Sequence, residues 1–79
     1  MKIYQYHGKC NISGRAIRAE RERQGLSQEQ LAARMQVEGI PLNQKAVSRV
    51  ETGLRVVSDY ELMTFARVLR VTMEHLVGQ

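Results

Sequence analysis

The chain has 79 residues and a formal charge of +4, which reads as one small domain with no room for a catalytic module beside a regulatory one. The positive balance favours polyanionic partners, and a single cysteine, Cys10, excludes an internal disulfide. No apolar run approaches the roughly 18 residues of a membrane span, and no apolar stretch of the signal-peptide kind opens the chain, so the expected location is the cytoplasm, with no membrane partner.

Residues 1–12 carry no helical periodicity and are expected to form an irregular or extended arm; residues 13–79 are expected to form the folded domain. Within it one pattern recurs five times: an apolar residue, a Ser, Thr or Asn, three residues, then another apolar residue. It is the signature of a helix N-terminus. The polar side chain accepts from free backbone N–H groups, and the two apolar residues staple across it. The instances are Ile12-Ser13 with Ile17, Leu26-Ser27 with Leu31, Leu42-Asn43 with Val47, Val57-Ser58 with Leu62, and Val71-Thr72 with Leu76. Gln30 and Glu61, three residues after Ser27 and Ser58, complete capping boxes.

These starts predict helices over 14–24, 28–36, 44–52, 59–69 and 73–77. Gly25 and Gly53 stand where helix ends favour glycine. Gly39 and Pro41 mark the longest internal connection, 37–43. Arg70 occupies the junction between the fourth and fifth helices, where a glycine would serve a left-handed turn more cheaply. Apolar residues at helical spacing predict one aliphatic core: Ile17, Leu26, Leu31, Ala32, Met35, Val47, Val50, Leu54, Leu62, Phe65, Ala66, Leu69, Val71 and Leu76.

The third helix has two unlike faces. Ala46, Val47 and Val50 point one way; Lys45, Ser48, Arg49 and Thr52 point the other, with Gln44 at the leading edge. Such a face is either simply solvated or a probe for the major groove of B-DNA. An α-helix fits that groove, where Gln pairs with adenine and Arg or Lys with guanine. The second helix opens with Gln28 and Gln30, where free N–H groups and the helix dipole attract phosphate. An anion-binding helix end followed by a base-reading helix is the logic of a helix-turn-helix.

The stretches "GLSQEQLAARM", "NQKAVSRVETG" and "DYELMTFARVLRVTMEHLVG" resemble the Xre family of phage-repressor-like helix-turn-helix domains over about residues 13–78. The resemblance implies an all-α, compact five-helix bundle, lambda-repressor-like, that binds DNA sequence-specifically as a transcription regulator and usually as a dimer. Carried over by position, it places the phosphate-clamping glutamine on Gln28 and the base-reading positions on Gln44, Lys45, Ser48 and Arg49. Asn43 and Arg55 fall where the family touches backbone phosphates. It also pairs Arg21 with Glu51, two charges at the edges of inward stripes that each need a partner if half-buried. One departure is plain: "QVEGIPLN" makes the turn between helices two and three several residues longer than the usual Gly-apolar-Ser.

The reading is therefore a cytoplasmic, double-stranded-DNA-binding regulator. It is expected to be a repressor, bound as a homodimer to a near-palindromic operator with half-sites about one turn, roughly 10 bp, apart or a multiple of it. Two rivals keep the fold: an antitoxin-type autoregulator whose main partner is another protein, and a protein-interaction module without DNA binding. No paired carboxylates, phosphate loop or triad suggests an enzyme, and no cofactor is expected. His7-x-x-Cys10 has only His75 as a further nitrogen donor, short of the roughly four ligands zinc takes, so no metal is expected. Tyr60, Met63 and Arg67, with Met73 and Val77, form a candidate patch for a second copy. Three readings of the N-terminal arm stay open: disorder, a strand pairing with a partner chain through the Tyr4 and Tyr6 face, or a basic arm reaching DNA through Lys2 and Lys9.

Overall fold

A computed structural model describes residues 5–78. Among them run five helices: α1 (Gly14–Arg23), α2 (Gln28–Val37), α3 (Gln44–Glu51), α4 (Asp59–Leu69) and α5 (Met73–Val77). The all-α bundle expected from the caps is what the chain adopts. Outside the helices the regular pairing among the described residues is one antiparallel bridge, Tyr6 with Lys9, closing a tight turn through His7 and Gly8. No helix among the described residues is long and apolar enough to cross a membrane. Lys2 and Tyr4, named above for the arm, lie outside the described residues.

Four of the five caps form as the pattern requires. The side chains of Ser27, Asn43, Ser58 and Thr72 accept from Gln30, Ala46, Glu61 and His75 backbone N–H, and both capping boxes close. Ser13 is the exception. Its side chain makes no cap bond, and Asn11 Oδ1 accepts from the Gly14 N–H at 2.8 Å instead. The physical reason is Ser13's own backbone, which is already helical at φ −95°, ψ −13°, whereas a capping side chain needs an extended residue beneath it.

The first four helices end alike. A backbone N–H two or three residues past the helix returns to a carbonyl five residues earlier, in a Schellman closure: Leu26 to Arg21, Ile40 to Met35, Leu54 to Arg49 and Val71 to Ala66. Each needs a left-handed residue in the middle. Arg70 takes that role after α4 at φ 59°, a conformation costing a non-glycine residue about 1–2 kcal/mol. A different constraint fixes Gly14. A methyl group there would run into the Val50 carbonyl oxygen, so only glycine lets the start of α1 lie against the end of α3.

The core gathers Ile17, Leu31, Ala32, Met35, Val47, Val50, Phe65, Ala66, Leu69 and Leu76, with Leu26, Leu62 and Val71 packed against it. Leu54 does not join them. It is 70% exposed, because the closure at Gly53 turns the chain outward one residue before the helical spacing would have brought Leu54 in. Ile40 and Leu42 are buried in its stead. Both come from the long α2–α3 connection, which folds inward: the Schellman closure drives Ile40 against the core, and Gln36 Nε2 donates to the Leu42 carbonyl at 2.7 Å. The added residues extend the core instead of forming a loose loop.

Candidate nucleic-acid interface

Asn43 sets the entry to α3 by accepting the Ala46 N–H at 2.8 Å. From there the amphipathic pattern does the positioning. Val47 and Val50 are fully buried, and this leaves Gln44, Lys45 and Arg49 exposed and Ser48 half-buried on the other side. Thr52, expected among the outward donors, turns its hydroxyl back to the Ser48 carbonyl at 3.1 Å and so closes the helix end.

Beneath the exposed edge lies a chain of four polar side chains. Arg21 Nε donates to Glu51 Oε2 at 2.6 Å and its NH2 group to Oε1 at 3.0 Å. Arg21 also reaches the Leu26 carbonyl at 2.8 Å, tying in the α1–α2 turn. Gln28 Nε2 donates to Glu51 Oε1 at 3.1 Å. Gln44 Nε2 donates in turn to Gln28 Oε1 at 2.6 Å. The Glu51 side chain is 1% exposed, so an unpaired carboxylate there would be prohibitive; three donors from two other helices satisfy it. Hydrogen bonding to Glu51 outweighs burial and holds the Arg21 guanidinium proton more tightly than usual. The result is a fixed path from α1 through α3 and α2 back to the first residue of α3.

Gln28 and Gln44 thus meet each other, and Arg21 meets Glu51. Lys45 and Arg49 stand outward on the same helix. Arg55, expected near backbone phosphate, is held by an acidic partner. Its two terminal nitrogens bond both oxygens of Glu61 at 3.0 and 3.1 Å, which locks the α3–α4 loop onto the start of α4. Burial alone would raise the Glu61 carboxyl; bonds from Arg55 and the Ser58 amide outweigh it and hold it below its ordinary value.

Two residues that the sequence did not single out matter here. Glu61, read only as half of a capping box, is also the counter-ion of Arg55. Asn11 joins the start of α1 to the end of α3, donating to the Val50 and Arg55 carbonyls at 3.0 and 2.7 Å. Its signal was its place two residues before an apparent cap. The His75 Nε2 is 3.0 Å from Glu20 Oε1, linking α5 to α1.

The sequence matches the helix-turn-helix family over residues 17–76. The chain belongs to that family, in its Xre-like branch. This Xre-type protein is accordingly a DNA-binding transcription regulator. The match takes in α2, α3, both members of the Arg21–Glu51 pair and the whole exposed edge of α3, and begins after the N-terminal arm. A search among curated proteins finds no match.

Proposed function

We propose that the protein is a cytoplasmic repressor that binds a near-palindromic operator as a homodimer, with α3 of each copy in the major groove. The observation that carries this reading is the chain Arg21–Glu51–Gln28–Gln44, which pins the N-terminus of α3 while Lys45 and Arg49 stay exposed. A fixed helix that carries exposed donors, here Lys45 in its first turn and Arg49 one turn on, is what base-edge recognition needs. In this reading Gln44, Lys45, Ser48 and Arg49 meet bases. Gln28 and Asn43 position the helix N-termini on phosphate. Arg55, oriented by Glu61, offers its remaining N–H groups to the flanking backbone.

The reading takes residues 13–79 as the DNA-binding unit and 1–12 as an N-terminal arm. A second copy would meet the patch around Tyr60, Met63 and Met73, whose side chains are large, apolar and exposed; Arg67 at its edge is paired with Glu38 at 3.2 Å. Selection of bound duplexes from a random pool tests the whole reading. Enrichment of a two-fold motif is the expected result, with half-sites a whole number of turns apart. Enrichment of nothing would overturn the reading; enrichment of an asymmetric single site would remove the dimer alone.

A further inference from the structure

The last carbonyls of a helix have no partners within it and must find them elsewhere. At the end of α3 the Gly53 N–H answers the Val50 carbonyl at 3.1 Å, and further donors reach it and the exit loop from an unexpected direction. Three consecutive residues of the N-terminal arm donate to carbonyls of the α3 terminus and its exit loop. Lys9 Nζ donates to the Thr52 carbonyl at 3.2 Å. The Cys10 backbone N–H donates to the Gly53 carbonyl at 2.8 Å. Asn11 Nδ2 donates to both the Val50 and Arg55 carbonyls, while its Oδ1 holds the first N–H of α1. The Lys9 stem lies over Gly53, filling the space a side chain there would take. Its ammonium sits at the negative end of the α3 dipole, where a cation is favoured.

These contacts all fall on main-chain carbonyls at the end of α3 and in its exit loop. They fix the angle at which the helix leaves the bundle and the path of residues 52–55, hence the place of Arg55. Residues 9–11 also precede the stretch shared with the family, which begins at residue 17. We propose that residues 9–11 are a brace for the recognition helix, and that Lys9 and Asn11 are positioning residues for DNA recognition that do not themselves touch DNA. The inference rests on the reading of α3 as the groove-entering helix. Without the brace the C-terminal end of α3 pivots, and the contacts that need a fixed angle, those to base edges, weaken more than those to phosphate.

The test compares the wild-type chain with Asn11→Ala and Lys9→Met on two probes, the duplex enriched by the wild type and a random duplex of the same length. Lys9→Met keeps the stem over Gly53 and removes only the ammonium, so it carries the test should Asn11→Ala fail to fold. The expected result is a loss of about tenfold on the enriched duplex, with random-duplex affinity and the slope of affinity against salt unchanged. A Lys9→Met slope shallower by about one ion would mean that Lys9 contacts phosphate and would overturn the brace. So would parallel losses on both probes, or affinities within twofold of wild type. If the wild type enriches no duplex, the reading of α3 falls and this proposal with it; if it does and both variants match it, the brace alone is wrong.

Discussion

Gln44, the first residue of α3, donates its side-chain amide to the Gln28 carbonyl oxygen at 2.6 Å, so the residue proposed to meet a base is aimed by the residue proposed to meet a phosphate. This coupling makes the two substitutions unequal. Gln28→Ala is expected to weaken binding to every duplex and also to flatten preference at the base pair Gln44 faces. Gln44→Ala should flatten that position alone. Lys45→Ala and Arg49→Ala, which disturb no packed contact, should each relax one other base pair at a cost of roughly 1–3 kcal/mol and leave stability within about 0.5 kcal/mol. Affinity measured on a panel of single-base variants of the enriched duplex distinguishes these patterns. Uniform losses from all four would show that no side chain here reads bases.

The Arg21–Glu51 pair is buried, doubly bonded and shared with Gln28. Removing one member strands a buried charge, so Arg21→Ala or Glu51→Ala should cost about 3–5 kcal/mol in urea unfolding. Replacing both by apolar residues of similar volume, Arg21→Met with Glu51→Leu, should recover much of that stability, because the desolvation penalty disappears with the charges. DNA affinity should not recover with it, since Gln28 then has no carboxylate to hold it toward Gln44. A double variant that regains both would reduce the pair to a purely structural role.

How much of this was written in the sequence follows from what each device depends on. The caps and the α3 faces are local, set by residues three or four apart, and they were legible: helix boundaries move by a residue at most, and Arg70 is left-handed where glycine was missing. Ser13 misled because its cap motif lacks the extended backbone a cap requires, a property of the chain's path and not of its residue types. Leu54 misled because periodicity does not end where the helix does. Ile40 and Leu42 lay in a stretch without periodicity, so their burial depends on the fold of the connection. Asn11 gave only a faint local signal because its partners are chosen by tertiary proximity, across 39 residues in the Asn11–Val50 bond; the Arg55–Glu61 pair spans six residues but depends on how the exit loop folds back onto α4.

The corrected core makes its own prediction. Leu31 is fully buried, so Leu31→Ala should cost roughly 2–5 kcal/mol. Ile40→Ala should also destabilise, toward the lower end of that range, since the residue sits at the rim of the core. Leu54→Ala should change stability by no more than about 0.5 kcal/mol, although helical spacing ranks it with the others. Urea midpoints of the three variants at constant slope provide the check. A Leu54 cost matching that of Leu31 would mean that the exit from α3 runs otherwise.

Acid should destabilise the fold through two carboxylates. The ordinary value for both is 4.5, and both Glu20 and Glu61 are held below it. For Glu20 the chief cause is hydrogen bonding from Arg23, working against burial, with His75 adding to it. For Glu61, burial is overcome by Arg55 and the Ser58 amide. A carboxyl depressed in the folded state takes up its proton first in the unfolded chain, so the unfolded state binds more protons as pH falls through this range. The stabilisation is fully present above the unfolded value, declines as pH drops through it, and is gone below the folded value. The thermal midpoint should therefore be nearly level from about pH 7 to about pH 5.5 and fall steadily toward about pH 3. Glu61→Gln keeps a side chain able to close the capping box but carries no charge for Arg55. Its midpoint should be lower at neutral pH and fall less steeply on acidification, so that the two curves converge. Curves that stay parallel down to the acid end would show that Glu61 contributes nothing through its charge and that the Arg55 contact is held by shape alone.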